Sequence, residues 1–383
     1  MPIMMDTDTF RTPGQMILHL MQARGWNRRT LSVILGVSEA TVTRITGDKQ
    51  PVDARLSIAL EELFGVPADK FLSLQKELDL AQARIVVRPD PSRAARALLY
   101  GDLPVGEMIG RGWLKAENIR DTAQIESELL RFFESNRLED IEIIPHAARK
   151  TDANSAATPA QIAWLYRVRA IAKNMIAPPY SDDKLRQALP KLRELMISAE
   201  AANKVSRTLL ECGVRFLVVE TLASAKIDGV CCWLDEKSPV IALTTRYDRI
   251  DNFWFVLRHE IEHVLQGHGR SEAVIDAELE GDRAGTGSDV PEQERIANEA
   301  AANFCVPKEK MNAFIARKAP LFSESDLRGF AKIIRVHAGI IAGQLQHKTG
   351  RYHIFRAHLE KVREKILPSA MVDGWGTVAP LGD

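Results

Sequence analysis

The chain has 383 residues, 45% of them hydrophobic and 27% charged, the profile of a soluble globular protein of two or three domains. Its 51 basic residues equal its 51 acidic ones, so no global field draws it to nucleic acid or acidic membrane, and such binding must come from a local patch. No run approaches the ~20 apolar residues of a membrane span, and the opening MPIMMDTDTF lacks a charged-then-apolar leader.

In chain order, residues 13–23 carry Met16, Ile17, Leu20 and Met21 as the stripe of an amphipathic helix closed by Gly25. A second helix is expected over 28–35, ended by Gly36, and a third begins at its cap Ser38 and stops at Gly47. Two more follow over 53–64 and 68–80. Prolines at 89 and 91 mark a linker over 88–91. Residues 94–149 read as helix-rich, with 124–133 the clearest helix, and 150–159 as a linker or long loop. Helices resume over 159–175 and 182–199. After Gly213 the period changes, and 214–219, 230–234 and 240–243 form short β-rich runs, the start of a small sheet. Residues 252–266 make a strongly apolar helix halted at Gly267, 271–290 a surface loop by composition, and 293–304 a helix ended before Pro307. The rest is helical to about residue 367. The fold class expected is mainly α with a small β-sheet (α+β). Its parts are an N-terminal helix-turn-helix bundle (1–88), a helical spacer (89–205), a C-terminal zincin-like domain (206–367) and a flexible tail (368–383). Four cysteines (Cys212, Cys231, Cys232, Cys305) are too few for a disulfide framework and fit buried positions in a reducing, cytoplasmic protein.

A helix ending at a glycine, a tight turn and a Ser-capped helix with polar outward residues make a helix-turn-helix. Leu31, Leu35, Val37, Val42 and Ile45 are expected to share its core, leaving Glu39, Ala40, Thr41, Thr43 and Arg44 for the DNA groove, with Ser38 at the helix start. Arg24, Arg28, Arg29, Lys49 and Arg55 supply locally the positive charge the whole chain lacks. The segment resembles the XRE-type helix-turn-helix of HigA-like antitoxins, a likeness continuing through IALEELFGVPADKFLSLQKELDLAQA, where Phe71 and Leu78 stand at the family's usual aromatic positions. The resemblance implies a double-stranded operator DNA partner, and a homodimer fits a motif that reads two half-sites.

Residues 259–263 read His-Glu-Ile-Glu-His. On a helix His259 and His263 stack at i and i+4 and can bite one ion, and imidazole suits zinc. Glu260 follows the first ligand, where its carboxylate can take a proton from a water the metal acidifies. A third ligand is offered by Glu294, with Asn298 one turn on to hydrogen-bond a ligand histidine; Glu299 with Asn303 competes, and His268 lies past the helix-breaking Gly267. Here the chain resembles the ImmA/IrrE family of metallopeptidases, over the stretch ending in RHEIEHVLQGHG and again at ERIANEAAANFCVP. The family's second motif sets Glu294, Ala297, Asn298 and Pro307 in register and so favours Glu294. The resemblance implies His259, His263 and Glu294 as Zn2+ ligands and Glu260 as general base. Glu262 and Ala300 depart from it, standing where a small residue and a Phe are usual. It further implies a cleft edged by a strand to which a substrate segment adds, for which 230–234 is the candidate.

The function expected is a cytoplasmic DNA-binding regulator with a zinc endopeptidase domain that cuts a partner protein, a repressor or antitoxin, in a stress or phage-related response. The alternative is a HigA-like antitoxin or repressor, partnering a cognate toxin, whose zinc-binding domain is a non-catalytic sensor or scaffold.

Overall fold

The computed structural model describes residues 10–87, 93, 97, 100–141, 148–150, 157–270, 273–277 and 291–381, with 139, 148–150 and 277 by backbone only. The linker expected over 88–91, most of that over 150–159, and residues 278–290 of the expected loop lie outside the described residues. The chain divides into two compact units, Met1–Pro91 and Ser92–Asp383. No described helix is long and apolar enough to cross a membrane.

The first unit is all helical among its described residues: α1 (Pro13–Ala23), α2 (Arg28–Leu35), α3 (Glu39–Thr46), α4 (Ala54–Phe64) and α5 (Ala68–Val86). Short polar side chains set four of the starts. Thr12, Asn27, Ser38 and Asp53 each accept a hydrogen bond from the backbone N–H three residues on. Met16, Ile17, Leu20, Leu31, Val42, Ile45, Leu60 and Phe71 close one core. Leu35 only borders that core, and Val37, expected inside, is exposed: Gly36 turns left-handed (φ 66°) to end α2 and swings the next side chain outward. Arg24, counted among the local cations, is committed elsewhere, since its guanidinium donates to the Leu63 and Phe64 carbonyls at the end of α4.

The second unit is built on a six-stranded mixed sheet of order β1-β5-β3-β4-β2-β6, from β1 (Ala148–Lys150), β2 (Arg215–Val219), β3 (Ile227–Trp233), β4 (Pro239–Leu243), β5 (Ala273–Ala277) and β6 (Met371–Asp373). Along its central strands successive side chains feed two different cores. Phe216, Val218, Cys231, Ile241 and Leu243 pack on one face, against the helix Ile250–Leu265 and helices later in the chain. Leu217, Val219, Cys232, Val240 and Ala242 pack on the other, against Trp113, Ile125, Leu129, Trp164 and Ile171. Strands apolar on both faces need a helical layer on each. The segment expected as a spacer therefore belongs to the same fold: Leu103 to Ala172 supply the second layer, Leu185 to Val205 join the first core, and no boundary falls at residue 205.

Two further expectations are corrected. The described residues after 368, up to 381, are no loose tail: Met371–Asp373 extend the sheet in parallel with β2, and Asp373 is buried. Its carboxylate takes both arms of the buried Arg167 (Oδ2···Nε 3.0 Å, Oδ1···Nη2 2.7 Å) and the Trp113 indole N–H (2.6 Å). The stretch expected as a surface loop contains β5, which pairs antiparallel with β3. β3 therefore lies between β4 and β5, and the strand expected to be a free edge is interior. All four cysteines are buried and unpaired, as their apolar settings led one to expect.

Candidate metal centre and helix-turn-helix surface

The helix Ile250–Leu265 buries Trp254, Leu257, Ile261 and Val264 in the first core, which fixes its rotation. Its two histidines come together at i and i+4, Nε2 to Nε2 at 2.9 Å. Glu294 enters from the helix Glu292–Cys305, its Oε2 at 3.2 Å from His259 Nε2 and 3.5 Å from His263 Nε2. Asp276 enters from β5, its Oδ2 at 3.4 and 3.8 Å from the same two nitrogens. Each of the four offers a ligand atom within 4.8 Å of the other three, and all four residues are buried.

These separations test whether an ion fits. Four ligands at about 2.0–2.2 Å from a tetrahedral cation stand about 3.3–3.6 Å apart. The five edges that involve a histidine, 2.9 to 3.8 Å, straddle that length. Both Glu294 carboxylate oxygens are buried without a hydrogen-bond partner, an arrangement that costs free energy unless a cation engages the cluster. Burial alone would depress the His259 imidazole, but Asp276 and Glu294 outweigh it and push it up to about 9. Burial would raise Asp276, yet His259 and His263 hold it well below the usual carboxylate range. Among the described residues this cluster can hold a metal ion.

Glu260 is wholly buried beside it. Burial first, then the charges of Asp276 and Glu294, push its carboxyl well above the ordinary value. Its room comes from Gly229 of β3, where a β-carbon would overlap Glu260 Oε1. Glu262 turns away from the cluster, paired with Arg258 (2.7 Å) and hydrogen-bonded by Gln266 (2.7 Å).

Of the residues expected at a metal, the structure thus brings together His259, His263 and Glu294, with Glu260 adjoining. Glu299 is on the outside, paired with Lys308, and the Asn303 side chain accepts from the Lys308 N–H. Asn298 is half-buried and bonds neither histidine: His259 Nδ1 has no partner, and His263 Nδ1 meets His268 Nδ1 at 2.9 Å. His268 takes that supporting role because Gly267 turns left-handed (φ 72°) and the His268 N–H donates back to His263 O (2.9 Å), returning the ring beneath its neighbour. Asp276 escaped sequence reasoning. Its one signal is the β-branched pair Val274-Ile275 just before it, within a stretch whose acids and glycines read as loop.

In the first unit Arg28, Arg29, Ser38, Glu39, Ala40, Thr43, Arg44 and Lys49 are exposed and Thr41 is half-buried. Several are engaged locally: Thr41 Oγ1 meets Ser38 Oγ (2.9 Å), Thr43 Oγ1 donates to Glu39 O (2.9 Å), and Arg29 approaches Glu39 (3.9 Å). Compared with known proteins, the chain matches no family model and no curated protein.

Proposed function

We propose that the chain is a DNA-binding transcriptional regulator whose second unit is a zinc-dependent endopeptidase acting on a partner protein, a repressor or antitoxin. The observation that carries the reading is the meeting of His259, His263 and Glu294 in one buried cluster with Glu260 beside it. Two imidazoles with carboxylates suit zinc among the available divalent ions. When bound, the ion would supply Lewis acidity toward a peptide carbonyl and water. Glu260 then takes the proton of the attacking water and passes it to the leaving amine, a task suited to a carboxylate whose pKa lies well above the ordinary value. His268 holds His263 in orientation through its second ring nitrogen. In the first unit, the exposed side chains of α3 face solvent for base edges, and Arg28, Arg29, Arg44 and Lys49 for phosphates.

The test is metal analysis of the purified chain beside incubation with the products of neighbouring genes. One zinc per chain and cleavage by wild type are expected. Glu260→Gln is expected to keep the zinc and lose the cleavage; equal cleavage by both would end the enzyme reading. One observation favours a second reading, a repressor or antitoxin with a non-catalytic metal scaffold: the cluster offers four protein ligands, the number of a structural site. That reading expects Glu260→Gln to leave every cellular phenotype unchanged and His259→Ala to abolish it.

A further inference from the structure

β3 is the strand that flanks the cluster, since its Gly229 lies against the Glu260 carboxylate. One side of β3 is taken by β4, and the other, beside the cluster, by β5. In that antiparallel ladder Cys231 faces Val274, Val230 faces Ile275 and Gly229 faces Asp276. Extended peptides bind by adding to a sheet edge, main chain to main chain, with side chains directed alternately into the site. β5 does this from within the chain. Among the described residues its outer neighbour β1 pairs with it over three positions, Ala148 to Lys150. The ladder shifts register between Ile227 and Gly229, at the position of Asp276 itself.

The side chain that β5 sends inward is a carboxylate at ligand distance. Asp276 Oδ2 stands 3.4 and 3.8 Å from the two histidine nitrogens, against 3.2 and 3.5 Å for Glu294 Oε2. The two acids are equivalent partners of the pair. Two imidazoles and two carboxylates complete a tetrahedron, whereas hydrolysis needs three protein ligands and one open place. His259, Glu260, His263 and Asp276 are all 0% exposed in this arrangement.

We infer that β5 is an internal occupant of the strand edge a substrate would use, and that Asp276 closes the metal centre as a fourth ligand, holding the unit in a latent form. Hydrolysis then requires Asp276 to withdraw. This rests on the metal-centre reading above and adds to it a closed resting state.

The full-length chain loaded with Co2+ tests it, with azide as the probe of an open coordination place. For wild type the visible Co2+ bands are expected to be indifferent to azide. In Asp276→Ala and Asp276→Asn the protein is expected to bind Co2+ about 10–100-fold more weakly, the loss typical of a removed coordinating or supporting group. At saturating Co2+ the bands of both variants are expected to shift on adding azide. A wild-type response equal to that of the variants, or variants as indifferent as wild type, overturns the latency while leaving the metal centre standing. Wild type that binds no Co2+ overturns the metal centre and the latency with it. If neither variant folds, the wild-type azide titration alone decides.

Discussion

At the scale of single residues, the second unit concentrates three carboxylates and two imidazoles where water does not reach. In the metal-free protein the charge is balanced in part by a proton on His259, whose ring is pushed up to about 9. A metal ion must displace that proton, so binding and protonation compete. Below about 9 the ring carries the proton, and metal affinity is expected to fall as pH falls, about tenfold per unit for one displaced proton. Zinc titrations in a competing chelator across pH check this, and an affinity flat between neutral pH and about 9 would contradict it. The two histidines were legible because ligand spacing on a helix is a local pattern, whereas Glu294 was set above Glu299 only by the resemblance to the metallopeptidase motif. Asp276 was not, because a lone acid after two β-branched residues becomes a candidate ligand only when a strand forms around it, and that strand pairs with residues far back in the chain.

The same division between local and distant information runs through the secondary elements. Helices α1 to α4 were readable to within a residue, since each begins at a capping Thr, Asn, Ser or Asp and the next break is a Gly or Pro. The His-pair helix was readable from its apolar face. The role of the segment before residue 205 was not, because Trp113 and Trp164 show a buried face without showing what buries it; only the two-faced apolarity of β2 and β4 hints at a second layer. That layer is tied to the sheet by the Arg167–Asp373 pair, whose side chains are 2% and 1% exposed. Removing one partner leaves a buried charge uncompensated, so Asp373→Ala or Arg167→Met is expected to cost about 3–5 kcal/mol in denaturant unfolding. The double replacement is expected to cost less than the sum of the two. Strict additivity would show that the pair is not coupled.

For the molecule as a whole, charge is balanced, so the DNA affinity proposed above would be a property of the first unit's surface. Arg28, Arg29 and Lys49 stand exposed there, and none of them is committed as Arg24 is. Replacing each by Ala is expected to weaken binding to operator and random duplex alike, lowering the slope of log K against log salt by about 0.9 for each phosphate no longer neutralised. Glu39→Ala, at the first residue of α3, is expected to act on operator preference, because the N-terminal part of such a helix meets base edges. Gel-shift titrations at several salt concentrations separate the two effects, and an unchanged slope in the triple variant would show that these residues do not neutralise phosphates.

The strand Met371–Asp373 has one more consequence. β2 waits for its outer neighbour until nearly all of the second unit has been synthesised. Until then Arg167 has no carboxylate to neutralise it, and the helices around Trp113 and Trp164 lack their latch. A ribosome paused before residue 371 would therefore carry a nascent chain whose first unit is ready to fold while its second lacks one strand and the carboxylate that pairs with Arg167.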